Sequence, residues 1–432
     1  MSILPARRFH RQPGLPLSVA AAVLAAALGA SQPAQAEAIH QIVSYGQSVS
    51  FGTAAIPPIS TESHPSNLMF ASGVRAQFGE GDATANRASL VPFQESHYYW
   101  LGETPVAGML EMIDQLRMQE DGHRSADQGI RYLGSAPGKG GQTVKALSFG
   151  TEPFEQLTWD LYFGAVHARM RGAEYRLGAV TWGQGESDQY WGTDAQTYRA
   201  SVDALRRQIN WVNEVVTGTA ESVPMIAYQM SAHVAAGSAS PDIALAQLDD
   251  GRENPDFHLA TPLYMMDFVD EYHLDARSSK WLGAYFGLVY KRAVVEGEDW
   301  QPLHPLRARS TGRLIVTDFH VPVPPLAFDT AQVADPGQYG FRVVDPDGSD
   351  NPVTGIAIDR AGTRVWIAAA RPIAAGSSLR YAWDGYKQSG RLTGPRGNLR
   401  DSQGDRLVFD PEGIAAPMHN WCVIFELPVE PL

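Results

Sequence analysis

An α/β domain with a mainly parallel sheet, followed by an antiparallel β-sandwich, is the fold class this chain predicts, and three observations carry it. Short apolar, β-rich runs alternate with stretches of helical periodicity from Ile39 to Gly297. Strands that alternate with helices need crossovers, which leave the sheet parallel and covered on both faces. Beyond Trp300 the helical periodicity gives way to short β-rich runs separated by Pro, Gly, Asp and Asn turns, the pattern of an antiparallel sandwich. The length of 432 residues, with 44% hydrophobic and 19% charged residues, suits a globular chain that buries two cores. The boundary is expected between Pro302 and Arg309, dividing a domain over 37–300 from a β-rich accessory domain over 306–432.

The first 36 residues do not read as part of either domain. Arg7, Arg8 and Arg11 precede an apolar stretch from Leu15 to Leu28, and Ala34-Gln35-Ala36 offers a small-residue cleavage site. That arrangement predicts a secretory signal peptide and a periplasmic or secreted protein, and the apolar run is too short for a membrane span. Cleavage after Ala36 would change the net charge from −13 to 31 − 47 = −16. An acidic surface disfavours nucleic acid and anionic membrane as partners. Cys422 is the only cysteine, which excludes an intrachain disulfide and a cysteine-ligated structural zinc.

Ile39 to Tyr45 reads as the first buried strand, broken by Gly46, and delivers Ser48 to the strand's carboxyl end. In open α/β sheets that end is where ligands bind. Thr53 to Asn67 is polar and contains prolines, which predicts a long loop. Val106, Met109, Leu110, Ile113 and Leu116 mark a helix between Gly102 and Glu120, and Ile130 to Leu133 the next strand. The glycine-rich turn from Gly134 to Thr143 lacks the spacing of a phosphate-binding loop, since three residues separate Gly134 from Gly138-Lys139 and a glycine follows the lysine. It still lets backbone N–H groups approach a ligand. Further helices are expected over Pro153–Arg171, Asp194–Val216, Ile243–Leu248 and Ala276–Val295, with strands over Leu177–Trp182, Val223–Met230 and Phe257–Met266. Leu314–Phe319, Phe341–Val344, Val365–Ala368 and Val423–Phe425 are expected strands of the second domain, and Asp345 to Asp350 a hairpin turn.

Polar clusters therefore fall at strand ends of one sheet: Gln47-Ser48, the Gly140-Gly141 turn, Gln184-Gly185-Glu186-Ser187-Asp188, and Asp270 with His273. Taken in order, Gly46-Gln47-Ser48, Gly140-Gly141-Gln142-Thr143, Gln184 to Asp188 and the Asp270/His273 pair resemble the four sequence blocks of the SGNH (GDSL-type) hydrolase superfamily, in its branch of sialate O-acetylesterases and carbohydrate acetylesterases. Val49 stands where that branch usually has asparagine. No Gly-x-Ser-x-Gly elbow and no His-Glu-x-x-His pair occurs, against an α/β-hydrolase lipase and a zinc hydrolase.

The resemblance implies a flavodoxin-like three-layer α/β/α domain and removal of small acyl groups, usually acetyl, from sugars. The residue types fit that chemistry: ester cleavage needs a nucleophile, a base and oxyanion donors. Ser48 would attack, His273 would carry the proton and Asp270 would orient the imidazole. The oxyanion would be held by the backbone N–H of Ser48, by that of Gly140 or Gly141, and by the Gln184 side-chain amide. Glu186 and Asp188 are expected to brace the loops, with Gln47 in support. Trp182, Tyr190 and Trp191 offer flat faces either to a sugar ring or to the core. No cofactor or metal is expected. The expected partner is an acetylated glycan or another small ester, and the competing readings are a lipid or aryl esterase and a non-catalytic glycan-binding protein.

Overall fold

β1 (Ala38–Gly46) lies at the centre of the first sheet because it is buried from both faces and paired along both edges. In the computed structural model, which describes residues 37–410, 413 and 415–432, its run Ile39-His40-Gln41-Ile42-Val43 pairs in parallel with β4 (Ile130–Ser135) on one side and, continuing to Gly46, with β5 (Glu174–Gly183) on the other. The signal peptide expected over residues 1–36 lies outside the described residues. Successive side chains of a strand point to opposite faces. Gln41 faces Gly164 of a helix on one side, and Ile42 faces Gly178 and Tyr290 on the other, so helices cover both faces.

Two strands escape the sequence pattern. β2 (His64–Phe70) and β3 (Leu90–Phe93) extend the sheet beyond β4, giving the order β3-β2-β4-β1-β5-β6-β7 with β6 at Met225–Gln229 and β7 at Phe257–Pro262. Every pairing is parallel except β2 with β3. The loop expected up to Asn67 thus ends earlier, at the start of β2. Pro92 is tolerated because β3 is the edge strand.

The helices are α1 (Ala83–Asn86), α2 (Pro105–Leu116), α3 (Glu152–Met170), α4 (Glu186–Trp191), α5 (Ala195–Thr217), α6 (Asp242–Glu253) and α7 (Ala276–Val289). The chain order reverses on either side of β1, and this is the place where an open α/β sheet forms a ligand crevice at its carboxyl ends. The turns after β1, β4 and β5 converge there.

The C-terminal part is β-rich, as expected. Its strands are β8 (His304–Thr311), β9 (Leu314–His320), β10 (Ala327–Phe328), β11 (Phe341–Val344), β12 (Asp350–Asn351), β13 (Val353–Ile358), β14 (Arg364–Ala369), β15 (Ser378–Tyr381), β16 (Leu399–Arg400), β17 (Val408–Phe409), β18 (Ala416–Pro417) and β19 (Phe425–Pro431). Eight of them join one sheet in the order β12-β11-β15-β19-β8-β9-β14-β13, antiparallel except for β19 with β8. Its two edge strands, β12 and β13, are separated in the chain by Pro352 alone, so the sheet curls until its edges meet around a core that includes Phe341, Tyr381 and Phe425. The Asp345–Asp350 run is the hairpin turn between β11 and β12, closed by Gly348 N–H to Asp345 O and Asp345 N–H to Ser349 O.

The apolar side chains of the two parts form one contiguous cluster, and residues 37–432 make one compact unit. Buried hydrogen bonds cross between them. The Gln229 amide pairs with both the carbonyl and the N–H of Ile424 at 2.9 and 2.6 Å, and the hydroxyls of Tyr264 and Tyr285 donate to the carbonyls of Cys422 and His419 at 2.6 and 2.7 Å. Trp383 and Trp421 are buried and Trp366 is partly exposed. No helix among the described residues is long and apolar enough to cross a membrane.

Candidate active site

Ser48 stands two residues beyond the end of β1, on a turn that glycine makes possible. Gly46 has φ of +141°, and a Cβ there would come within 2.2 Å of the Gly183 carbonyl oxygen. Only glycine lets β1 and β5 stay paired up to this point. Gln47 N–H then donates to Gly183 O at 2.8 Å, and Ser48 opens a one-turn 3₁₀ helix, Ser48–Phe51, that ends at Gly52 in the left-handed region. The turn is held from inside by Ser50 Oγ to Gln47 O and Ser44 Oγ to Ser50 O, each at 2.7 Å. Gln47 Oε1 accepts the N–H of Ser187 at 3.1 Å, which ties the serine turn to α4. Although Ser48 is largely buried, it lines a cavity of about 820 Å³.

The glycine-rich turn after β4 lies against this serine. Lys139 N–H donates to Gly46 O at 3.0 Å. Of the two candidate oxyanion glycines, Gly140 is the one beside Ser48, since a Cβ at Gly140 would lie 3.8 Å from Ser48 Cβ, whereas one at Gly141 would meet nothing within 4 Å. Both line the cavity.

Asp188 braces this turn. Its carboxylate accepts from Val144 N–H at 2.9 Å, from Thr193 Oγ1 at 2.8 Å and from Gln184 Nε2 at 2.5 Å. The last of these corrects the role expected for Gln184. Its amide nitrogen also approaches Gln142 O at 3.3 Å, so both amide protons are committed, and the fully buried side chain is not part of the cavity wall. Gln184 holds the loop that carries Gly140 rather than facing an oxyanion.

Asp270 and His273 occupy the loop between β7 and α7. That loop closes on itself through a bridge between Phe268 and Leu274 and through Val269 N–H to His273 O at 2.8 Å. Asp270 Oδ1 accepts the N–H groups of Tyr272 and His273, both at 2.8 Å, while Oδ2 accepts from His273 Nδ1 at 2.8 Å. Burial opposes ionisation of Asp270. The bonds from the imidazole and the two N–H groups outweigh it and hold the carboxyl below its ordinary pKa. An ionised Asp270 fixes the proton on Nδ1 and leaves Nε2 for proton transfer. His273 lines the same cavity as Ser48.

Glu186 lines that cavity too. It is buried, accepts the Tyr228 hydroxyl at 2.9 Å, and burial pushes its pKa up to about 7. Much of the remaining wall is aromatic. Phe51, Phe78, Tyr98, Tyr99 and Trp100 form one side, linked by ring contacts of 4.7 to 6.0 Å, and Tyr190 and Trp191 of α4 stand with Tyr272 in the rest. Trp182, by contrast, is wholly buried core. Lys139 also lines the cavity, and its ammonium pairs with Glu152 at 2.9 Å. Among the described residues no group of three or more His, Cys, Asp and Glu side chains is placed to hold a metal ion.

The chain shares the fold of a carbohydrate acetylesterase. That enzyme, from Xanthomonas citri, superposes over 90% of this chain and 80% of its own with a TM-score of 0.54 at 17% identity. A protein from Arabidopsis thaliana matches 59% of this chain and 98% of its own (TM-score 0.42, 17% identity), and a carbohydrate acetylesterase from Sinorhizobium meliloti matches 60% and 99% (TM-score 0.33, 12% identity). No protein-family model and no curated protein matches the chain. The fold agrees with the one the four sequence blocks imply.

The cavity residues that sequence reasoning passed over are those of the side formed by Phe51, Phe78, Tyr98, Tyr99 and Trp100, whereas Tyr190 and Trp191, which it weighed between a sugar ring and the core, line the cavity. Tyr98-Tyr99-Trp100, three consecutive aromatics in a loop, 43%, 71% and 65% exposed, were a readable signal, because aromatic residues in a run without strand or helix periodicity have no core to enter. Arg75 gave no such signal. It is buried, and its guanidinium donates to Gly102 O at 2.7 Å and Phe51 O at 3.3 Å, joining the aromatic loop to the serine turn.

Proposed function

We propose that this protein is a serine esterase that removes acetyl groups from a neutral carbohydrate. The observation that carries the reading is the convergence of Ser48, Gly140 and the Asp270–His273 pair on one cavity. Ser48 Oγ attacks the ester carbonyl while His273 Nε2 takes its proton. The resulting oxyanion is held by the N–H groups of Ser48 and Gly140, and the intermediate collapses as His273 returns the proton to the leaving sugar hydroxyl. Water then attacks the acetyl-serine as His273 takes one of its protons, the ester bond to Ser48 Oγ breaks with release of acetic acid, and His273 returns the proton to Ser48 Oγ. The Xanthomonas citri enzyme of the same fold is described as a carbohydrate acetylesterase, in keeping with this substrate class.

Two features of the wall favour a neutral sugar. Among the described residues no arginine lines the cavity, and the Lys139 ammonium is engaged by Glu152, so a sugar carboxylate meets no unpaired guanidinium there. Aromatic faces suit the apolar faces of sugar rings. The same wall also accommodates an aryl ester, which is the second reading. The basic and apolar start of the sequence supports export to the periplasm or the medium.

The deciding experiment measures acetate release from a panel of acetylated polysaccharides and aryl acetates by the wild type and by Ser48→Ala. Release from neutral polysaccharides, reduced at least ~10³-fold in the variant, is expected. Full activity in Ser48→Ala sinks the assignment, and hydrolysis of aryl acetates alone, with no release from any glycan, replaces it with the aryl reading.

A further inference from the structure

The turn that carries Asp270 and His273 is grasped from outside its own domain. Ser389, in the loop that follows β15, donates its hydroxyl to the Glu271 carbonyl at 2.5 Å, inside the four-residue turn itself. Two residues on, Arg391 Nε pairs with Asp267 Oδ1 at 2.7 Å and its backbone N–H donates to Met266 O at 3.2 Å, just before the turn. Between them Gly390, with φ of +90°, runs so close that a Cβ would come within 2.8 Å of Met266 O and 2.9 Å of the Phe268 ring. The grasping loop is in turn fixed to its own domain, by Arg391 Nη1 to Gln332 O at 3.1 Å and Ala334 N–H to Arg391 O at 3.0 Å. Nearby, Trp383 Nε1 donates to Ala239 O at 3.0 Å and His233 Nε2 to Trp383 O at 2.8 Å, while the Tyr272 hydroxyl reaches Ala235 O at 3.0 Å.

We propose that the C-terminal β domain positions the catalytic base: Ser389 and Arg391 hold the Asp270–His273 turn in register with Ser48, and the site is complete only when both domains are docked. This rests on the esterase reading above. The physical reason is that the turn lies beyond the last strand of the sheet, with no further strand to fix it. Its internal bonds set its shape and Tyr272 ties it to Ala235 of its own domain, while Ser389 and Arg391 anchor it from the other side. A displacement of about 1 Å at a reacting group costs on the order of 10²-fold in rate, so two hydrogen bonds at this place bear on turnover far more than on substrate binding.

The test uses the full chain with a chromogenic acetate ester. Ser389→Ala and Arg391→Ala are expected to lower kcat roughly 10- to 100-fold with KM changed less than about twofold. Ser389→Thr, which keeps the hydroxyl, should recover most of the loss. Tyr386→Ala, on the same loop with its side chain 77% exposed, should match wild type. Amide hydrogen exchange over residues 269–275 gives a readout independent of activity and should accelerate in Ser389→Ala while the sheet stays protected. If Ser389→Ala does not fold, Ser389→Cys keeps the volume and weakens the bond, and the same kcat loss is expected. Wild-type kcat and unchanged exchange in the folded Ser389 and Arg391 variants overturn the proposal, and so does a loss confined to KM. Inactive Ser48→Ala and His273→Ala controls in the same assay keep the esterase reading standing in that case; activity in those controls removes the reading itself.

Discussion

Glu186 shows at the scale of one residue how the site bears on stability. A carboxyl whose native pKa is raised to about 7 by burial, against an ordinary value near 4.5 in the unfolded chain, binds more protons folded than unfolded between those values. The native state is therefore favoured below about pH 4.5 and loses that advantage progressively up to about pH 7, an effect on the order of a few kcal/mol. Glu186→Gln keeps an acceptor for Tyr228 and cannot ionise. Its unfolding free energy relative to wild type should rise by roughly 1–3 kcal/mol between pH 5 and pH 8, measured as denaturant midpoints; a flat difference means Glu186 is not desolvated. Both segments stood out in the sequence as polar clusters at strand ends: the Gln184-to-Asp188 run brings Glu186 to the cavity that Ser48 lines, and Asp270 bonds to His273 three residues on. Gln184 misled because residue type fixes what a side chain can donate and not where it points. Asp188, four residues on, captured its amide.

At the scale of elements, α2 and α7 meet backbone to backbone. A Cβ on Gly108 would lie 1.9 Å from Lys280 O, and one on Gly283 would lie 1.9 Å from Pro105 O. Helix propensity alone makes glycine to alanine worth up to about 1 kcal/mol of stabilisation. Forcing two helices apart costs typically 1–3 kcal/mol and more where backbone blocks the way, so the steric term decides the sign. Gly283→Ala should lower the urea midpoint and also slow turnover, because α7 begins at the far end of the Asp270–His273 loop, where the Asp275 side chain caps it through Ser278 N–H at 2.7 Å. A raised midpoint contradicts the packing. These helices were readable because they repeat an apolar period, and the strands β1, β4, β5, β6 and β7 because each is a short apolar, β-rich run. β2 and β3 were not: His64-Pro65-Ser66-Asn67 opens β2 with polar residues and a proline, and β3 has only four residues including Pro92.

For the whole molecule, the change of texture after Trp300 announced a second β-rich part but not how it sits, because Gln229, Tyr264 and Tyr285 look in sequence like ordinary interior positions. In the structure they are where the β domain is bonded on, all three fully buried. A chain ending at Pro302 loses the partners of all three and uncovers the apolar surface that Trp421, Cys422 and Val423 now bury. At about 25 cal/mol per Å² of apolar area, a few hundred Å² laid open matches the net stability of an ordinary domain. That chain should therefore aggregate or unfold at lower denaturant. Whatever fraction stays folded should also lose turnover of a small acetate ester, since Ser389 and Arg391 are gone with the rest of the domain. An accessory glycan binder behaves in the opposite way. Its removal leaves a soluble enzyme with full activity on the small ester and reduced activity on polymer alone. Comparing the two chains on both substrates, with light scattering to read solubility, separates these outcomes, and full small-ester activity in the shortened chain would falsify a structural and positioning role for the β domain.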